Sequence, residues 1–346
     1  MKKLFVFAAS AMMVFASCTD NEIVYQNETP QEISFFSVAN KMTRATQYAI
    51  DGTAFTHENM AVAAYLAAGT GVTTGDFFDG TTFEKVGQAA NFTGSKYWPI
   101  QASTLNFLAV APVETGVSTV FGSKASEVAP ISNFAGKAVV TLTNNETNQY
   151  DVMYANATKA KANAQNEDLT VDMEFQHALA WVNFTFKATS PGITINNVTV
   201  NGANYNGTLT ITNAGFNATT GMTLTPVWSN QSGLAAVEGV VPGKDVIIDN
   251  NQTKVLTIEE DESESDIITW GKGLLVVPCT ATNFVINYSV TVGDDTHTYD
   301  YTYSTGLTWA MGKKYNYNIS MGLQEIQIAP TVSTWGTTDD TTVPIQ

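Results

Sequence analysis

Apolar and polar residues alternate along most of this sequence, which is the pattern of β-strands with one buried face. Strict alternation runs through Leu169–Phe175 and Ala180–Phe186. Two longer apolar runs, Met60–Leu66 and Leu105–Ala111, are bounded by Gly, Pro and Thr and indicate buried strands. Few stretches repeat apolar residues at the helical period, so the pattern predicts an all-β protein.

Shorter strand-like segments continue to the end of the sequence, separated by turn residues. They are Ile33–Val38, Ile193–Ile195, Val198–Val200, Leu209–Thr212, Val246–Ile248, Val255–Ile258, Leu274–Val277, Phe284–Val292, Tyr299–Tyr303, Tyr315–Ile319 and Ile326–Ile328. One Ala-, Lys- and Asn-rich segment, Ala155–Asn166, is predicted to be a helix or, equally, a loop. Many short strands joined by turns favour β-sandwiches. The best candidate boundary between two of them is Ala188–Gly192.

The N-terminus reads as an export signal. Lys2 and Lys3 precede the apolar stretch Leu4–Phe15, which is shorter than the roughly 20 residues that span a bilayer. Ala16 and Ser17 stand directly before Cys18, as in a bacterial lipobox, where the Cys is acylated and becomes the mature N-terminus. Residues 1–17 are therefore predicted to be a signal peptide. The alternatives are a transmembrane anchor and an ordinary signal-peptidase site near a Cys.

The composition and charge of the chain limit the kinds of binding partner that are expected. The chain has 346 residues, of which 44% are hydrophobic, enough for a sizeable core in each of two domains. It carries 16 Lys and Arg against 32 Asp and Glu, a net charge of −16. Nucleic-acid binding is not expected, because it needs clustered basic residues. The acidic run Glu259–Asp266 lacks the Gly and the oxygen spacing of a calcium loop and indicates a solvated loop.

Residues that could carry catalysis are scarce, so no enzymatic activity, metal or cofactor is expected. The sequence has no nucleophile-elbow or P-loop motif, and His57, His177 and His297 are far apart. His177 is interpreted as a buried, hydrogen-bonded core residue. Cys279 has no disulfide partner beyond position 18 and is interpreted as a small buried hydrophobe. The ladder Tyr299, Tyr301 and Tyr303 is first a sheet face and only second a carbohydrate platform.

Arg44 is the only arginine in the sequence, and the other basic residues are lysines. It lies in a polar segment just after Ile33–Val38 and before the first strands of the predicted globular part. An Arg-specific protease would therefore have one target, in a segment suited to cleavage. Cutting between Arg44 and Ala45 would separate Cys18, its lipid and Ile33–Val38 from the rest of the chain. The alternative is that the position of this arginine is a coincidence.

Taken together and in this order, several motifs resemble those of the fimbrillin (FimA/Mfa-like) family, the type V pilins of Bacteroidetes. They are Cys18 in its lipobox, Thr43–Thr46, Asp151–Ala155, Phe175–Val182, Trp309 with Gly312–Ile319, and Ile328–Val332 with Trp335. The motifs span most of the chain. Each motif alone is loose, and the order on a lipoprotein makes the resemblance specific.

The resemblance implies two transthyretin-like β-sandwich domains in tandem. The expected organisation is a signal peptide over 1–17, a lipidated propeptide with a removable strand over 18–44, and sandwiches over 45–190 and 191–346. A lipid anchor on Cys18 would hold the precursor in the outer membrane. An Arg-specific surface protease would then cut after Arg44, leaving the mature protein in extracellular fimbriae.

The resemblance further implies a structural subunit that polymerises by strand exchange with copies of itself or related pilins and supports cell adhesion. The donor strand would come from Ile326–Val332 or from the tail Gly336–Gln346, which carries few apolar residues. Stalk and tip positions both stay open, and a host or bacterial surface ligand is a further expected partner. The alternative function is a monomeric surface lipoprotein that binds glycan or host protein.

Replacing Cys18 with Ala should abolish fatty-acid labelling of the precursor and its retention in membranes, because the acylated thiol is lost. Labelling with a radioactive or clickable fatty acid in the native host measures this. A Cys279→Ala variant is the matched control and should label normally. Undiminished labelling of the Cys18→Ala variant would show that the lipobox interpretation is wrong.

Overall fold

The structure is a computed structural model, and the statements below concern the residues that it describes. These are residues 30–39, 57–69, 75–87, 91–100, 103–121, 137–143, 150–162, 168–188, 192–217, 221–232, 236–240, 246–248, 253–254, 274–322, 326–335 and 343–344. All regular structure in them is β-strand, which confirms the predicted all-β class. No helix in this part of the chain is long and apolar enough to cross a membrane.

The first half of the chain contributes the strands that precede Ala178 and Leu179, the two residues at which the chain crosses from the first half to the second. They are β1 (Glu32–Ala39), β2 (Asn59–Gly69), β3 (Gly75–Lys85), β4 (Asn91–Tyr97), β5 (Ser103–Ala111), β6 (Val117–Phe121), β7 (Lys137–Thr143), β8 (Met153–Lys161) and β9 (Val171–His177).

The second half contributes the strands that follow this crossing. They are β10 (Ala180–Ala188), β11 (Ile193–Asn201), β12 (Asn206–Asn217), β13 (Gly221–Ser232), β14 (Ala236–Val240), β15 (Val246–Ile248), β16 (Thr253–Lys254), β17 (Leu274–Val276), β18 (Cys279–Thr280), β19 (Asn283–Val292), β20 (Asp295–Tyr303), β21 (Thr308–Trp309), β22 (Lys313–Met321), β23 (Ile326–Thr334) and β24 (Val343–Pro344).

Seven of the first strands form a closed barrel in the order β1-β4-β3-β2-β5-β8-β9. Neighbouring strands run antiparallel except for β1 and β9, which pair in parallel and close the ring. The interior is filled by buried side chains, with aromatic rings at its centre: Phe35, Phe78, Phe83, Phe92, Phe107 and Phe175. Because successive residues of a strand point to opposite faces, the same strands also offer an outer face for a second layer.

That second layer is a four-stranded sheet in the order β13-β12-β7-β6, which covers the barrel's outer face. Leu108, Val110 and Tyr154 of the barrel share one buried cluster with Val140 and Leu209 of this sheet. The cluster also includes Ala178 and Leu179, where the chain crosses between the two halves, and Trp335. One core therefore joins residues from both halves of the chain.

A β-sandwich lies beyond this shared core. Its two sheets have the orders β16-β10-β22-β23-β24 and β14-β11-β19-β20, with β17 and β15 paired beside β10 and β11. Between them lies a buried cluster that includes Phe184, Phe284, Trp309 and Tyr317. Tandem sandwich-like units are thus compatible with the structure, although the first sheet closes into a barrel.

Strand pairing crosses the predicted sequence division after residue 190 in both directions. Strand β10 comes before it, yet pairs in parallel with β22 along Trp181–Ala188. The β12–β13 hairpin comes after it, yet β12 pairs with β7 along Asn206–Thr212. The two halves are therefore interleaved by their strands as well as joined by the shared core.

The prediction of a helix or loop at Ala155–Asn166 is wrong over Ala155–Lys161, because β8 occupies Met153–Lys161 as a strand. Ala, Lys and Asn have weak strand preference, and here the full-length antiparallel pairing with β5 overrides it. The hydrophobic pattern also did not predict strands β3, β4, β6, β7 and β13, whose residues are mixed in polarity. The predicted strand Val255–Ile258 lies outside the described residues.

Replacing Leu209 with Ala should lower the free energy of unfolding by about 2–5 kcal/mol, since the fully buried side chain leaves a cavity in the shared core. Its neighbour Thr210 lies on the opposite face of β12, and Thr210→Ala should cost about 1 kcal/mol or less. Denaturant unfolding followed by tryptophan fluorescence measures both. Equal effects of the two changes would contradict a buried interface between the β12–β13 hairpin and the barrel.

Candidate functional site

Strand β1 is the candidate site because the ring of strands closes only through it. Its residues pair antiparallel with β4, from Glu32 opposite Tyr97 to Phe36 opposite Asn91. On the other side they pair in parallel with β9, from Phe35 opposite Val171 onward. The Trp98 backbone N–H donates to the Gln31 carbonyl at 2.9 Å, extending the contact beyond the strand. Without β1, both β4 and β9 would present unpaired backbone groups.

The inward face of β1 is fully packed. Ile33 and Phe35 are 0% exposed and Ser37 is 1% exposed, so every second residue enters the barrel. The outward-facing Ser34 and Phe36 between them are only half-buried. The Ser37 hydroxyl lies 3.8 Å from the Met60 sulfur, which accepts its weak hydrogen bond. The inward face of β1 therefore presents an aliphatic, an aromatic and a small hydroxyl side chain in succession.

Phe35 is held by two other rings at the centre of the barrel. Its ring meets Phe83 edge-to-face at 4.8 Å and Phe107 edge-to-face at 5.1 Å, both at 87°. Gly94 on β4 makes room for Phe83, since a Cβ at this position would stand 2.7 Å from the Phe83 ring. Such pairs add about 0.5–1.5 kcal/mol beyond the burial of their area. Phe35 is thus the main anchor of β1.

The predicted site residues Cys18, Arg44 and Ala45 lie outside the described residues. In the sequence, Arg44 and Ala45 fall between the end of β1 and the start of β2. The only chain connection between the closing strand and the rest of the barrel therefore runs through them. Their lipidation and cleavage stay predictions.

The two predicted donor segments differ in how they are held. Ile326–Val332 belongs to β23, which pairs with β22 along its whole length from Ile326 to Thr334. Of the tail, Val343 and Pro344 are described, and they pair with Val332 and Thr331 at the other edge of β23. The described tail residues thus form β24, the edge strand of this sheet, whereas β23 lies within the sheet.

Trp335, the last described residue before the tail, is fixed at the junction of the two halves. Its ring stacks on His177 at the end of β9, with centroids 3.7 Å apart and planes 6° from parallel. His177 Nδ1 lies 2.8 Å from Asp151 Oδ2. The Trp335 backbone N–H donates to the Gly312 carbonyl at 2.9 Å. His177 is 4% exposed, which confirms its interpretation as a buried, hydrogen-bonded residue.

His57 joins the same cluster, which sequence reasoning missed because the residues are distant in the chain. The residue as a whole is partly exposed, but its ring nitrogen Nε2 is buried. Burial lowers the pKa of His57; the Asp151 charge and a hydrogen bond to the Asp151 backbone oppose this. His177 lowers the pKa further, and Glu114 raises it. The net direction is down, so His57 is neutral at physiological pH.

The remaining candidate residues that the structure describes have structural roles. Among the described residues, no three His, Cys, Asp or Glu side chains come together as metal ligands would. Tyr301 and Tyr303 pack against the sandwich core, and Tyr299 at the same face is 48% exposed. Cys279 forms no disulfide in the described part of the chain and is half-buried against the same core, where burial raises the pKa of its thiol. The acidic run Glu259–Asp266 lies outside the described residues.

A family model described as fimbrillin-like matches residues 43–335, most of the chain. None of the curated proteins matches the chain in sequence. Among solved structures, a Bacteroides ovatus protein with a suggested role in cell adhesion is 14% identical and covers 90% of this chain and 100% of its own, with a TM-score of 0.46. A fimbrial protein from Bacteroides vulgatus is 15% identical, with 80% and 92% covered and a TM-score of 0.42. The fimbrial anchor protein Mfa2 from Porphyromonas gingivalis is 9% identical, with 89% and 98% covered and a TM-score of 0.31.

Stability should fall as the pH drops from 7 towards 5, because the unfolded chain protonates His57 at about pH 6.5 while the folded chain resists. Each proton that the unfolded chain binds and the folded chain does not changes the free energy of unfolding by up to about 1.4 kcal/mol per pH unit. His57→Gln should flatten the slope measured by denaturant unfolding at a series of pH values. His297→Gln, at an exposed position on β20, is the matched control for the loss of one histidine. An unaltered slope in His57→Gln would mean that another group causes the acid sensitivity.

Proposed function

The chain belongs to the fimbrillin-like family, and on that premise we propose that it is a structural subunit, stalk or tip, of a surface fimbria. Its precursor is a lipoprotein anchored through Cys18. Cleavage between Arg44 and Ala45 by an Arg-specific surface protease frees the subunit, which then polymerises by strand exchange and supports adhesion. As a fimbrillin-like protein it is structural and not an enzyme.

One observation carries the proposal: β1 closes the barrel, and its chain connection to β2 contains the only arginine of the sequence. Burial of Ile33 and Phe35 contributes roughly 1.5–3 kcal/mol for each side chain. While the chain between β1 and β2 is intact, β1 has a high effective concentration at its own groove. It therefore rebinds whenever it detaches from the groove. The uncut precursor therefore stays closed and monomeric.

Cleavage after Arg44 changes this balance without altering any contact of β1. The strand becomes a separate peptide, so once it leaves, its return depends on concentration. Its departure opens a groove lined by Phe83, Phe107 and Met60 and bordered by the unpaired edges of β4 and β9. A strand that fills the groove regains both the apolar burial and the backbone hydrogen bonds.

A strand from another subunit is the proposed replacement. Because donor and groove are different surfaces of each copy, the contact is head-to-tail and builds a filament rather than a closed dimer. Within this chain, the described tail residues Val343 and Pro344 are easier to release than Ile326–Val332. Leaving its place would cost Ile326–Val332 the full ladder with β22, whereas Val343 and Pro344 pair only with the edge of β23.

Treating purified residues 19–346 with an Arg-specific protease should produce polymers at high protein concentration. The reason is that the cut lets β1 leave and exposes the groove. Light scattering and electron microscopy measure the polymer, and mass spectrometry of the released peptide locates the cut. The polymers should persist in mild denaturant, because each joint buries several apolar side chains.

Arg44→Lys is the matched control, since it keeps the charge but removes the site of an Arg-specific protease. It should stay uncut and monomeric under the same conditions. Polymerisation of Arg44→Lys as readily as the cleaved protein would contradict the switch. If the cleaved protein releases its peptide but never polymerises, the tip subunit or the monomeric binder becomes the better description.

A further inference from the structure

Resting on the proposed function, we infer that the groove left by β1 is selective for the side chains of its occupant. It takes an extended segment with an aliphatic residue, a large aromatic residue and a small hydroxyl residue at successive alternate positions. Such a strand from a different pilin is accepted in preference to either donor segment of another copy of this chain. The central aromatic position carries most of this selectivity.

The central position is shaped for an aromatic ring by three features. Phe83 and Phe107 both present edge-to-face contacts to Phe35, at 4.8 Å and 5.1 Å. Gly94 allows Phe83 to lie close against β4 in the position where it meets Phe35. All three rings are fully buried, so a smaller occupant would leave a void that neighbouring side chains fill only in part.

The flanking positions restrict the occupant further. Ile33 is 0% exposed and therefore occupies a closed apolar site. Ser37 is also buried, and its hydroxyl approaches the Met60 sulfur at 3.8 Å. A large side chain at this third position would overlap the packed interior. The outward positions, Ser34 and Phe36, are half-buried and impose weaker demands.

Neither donor segment considered in this chain supplies the aromatic residue. Ile326–Val332 reads IQIAPTV and contains Pro330, which lacks the N–H that a ladder needs. Gly336–Gln346 reads GTTDDTTVPIQ, whose apolar residues are Val343, Pro344 and Ile345. Placing Val343 at the central position would leave much of the space between Phe83 and Phe107 empty. A copy of this chain can therefore fill the groove, but incompletely.

The test is peptide exchange into the full precursor, residues 19–346, cut at Arg44 by an Arg-specific protease. A fluorescent peptide copying residues 30–39 enters the groove as β1 leaves, and anisotropy reports its affinity. Phe35→Ala in the peptide should weaken binding roughly 100-fold or more. Phe36→Ala is the matched control, an adjacent aromatic on the other face, and should weaken binding less than about tenfold. Peptides copying 326–334 and 336–346 should bind at least about tenfold more weakly than the native peptide.

Two results would overturn the inference. One is an equal loss of affinity for the Phe35→Ala and Phe36→Ala peptides, which would show that the groove does not distinguish its inward positions. The other is binding of the 326–334 or 336–346 peptide as tightly as the native one, which would remove the preference for a different pilin.

The intact, uncut chain separates failure of the inference from failure of the proposed function. If no peptide enters after cleavage, β1 does not leave and strand exchange is wrong. The selectivity is then decided by unfolding of the Phe35→Leu and Phe36→Leu variants of the intact chain. Phe35→Leu should lower the denaturation midpoint clearly more than Phe36→Leu, because Phe35 is fully buried against Phe83 and Phe107 whereas Phe36 is half-buried. A Phe35→Leu midpoint equal to that of the native chain would show that the aromatic selectivity is wrong.

Discussion

The constraint on which the rest of the structure depends is that a sheet closing on itself must have every edge paired. Here β1 satisfies that constraint on both sides, antiparallel to β4 and parallel to β9. The interior of the barrel is built around the same strand, since Phe35 is the ring on which Phe83 and Phe107 converge. A strand that is both the last backbone partner and the centre of the core cannot be removed without something taking its place. The barrel therefore needs an occupant at this position, whichever chain supplies it.

The second organising feature is the core shared between the halves of the chain. Leu209 and Ile211 of the β12–β13 hairpin pack with the barrel's outer face, and Trp228 donates its indole N–H to the Ala178 carbonyl at 2.7 Å. A barrel standing alone would expose this apolar outer face to water. Strands β6 and β7 of the first half cover part of this face, and the cover is complete only when the β12–β13 hairpin from later in the sequence has folded onto it.

The sequence allowed the fold class and many strands to be predicted, because their buried faces carry strongly apolar residues. Strands β1, β2, β5, β9 and β22 are examples, each with several buried apolar residues. Strand β4 escaped prediction because Phe92 is its only fully buried large residue, among Thr, Gly, Ser and Lys. Strand β8 escaped because its Ala and Lys residues gain their conformation from β5. No local pattern in the sequence encodes the tertiary contacts by which β1 and β9 close the ring. The same holds for the contacts that place His57 near His177.

The stacking of Trp335 on His177 has a mechanical consequence. Trp335 immediately precedes the tail, and His177 ends β9, which is one wall of the groove that β1 occupies. The Trp335 backbone N–H donates to the Gly312 carbonyl, and the Gly312 N–H in turn donates to the Leu179 carbonyl at 2.8 Å. Tension applied along the chain at the tail would pass through this stack and the Leu179 bond directly into the barrel wall. Because Trp335 follows β23 and the tail residues Val343 and Pro344 pair with that strand, the sandwich and the barrel wall would share the load in a subunit pulled at its tail.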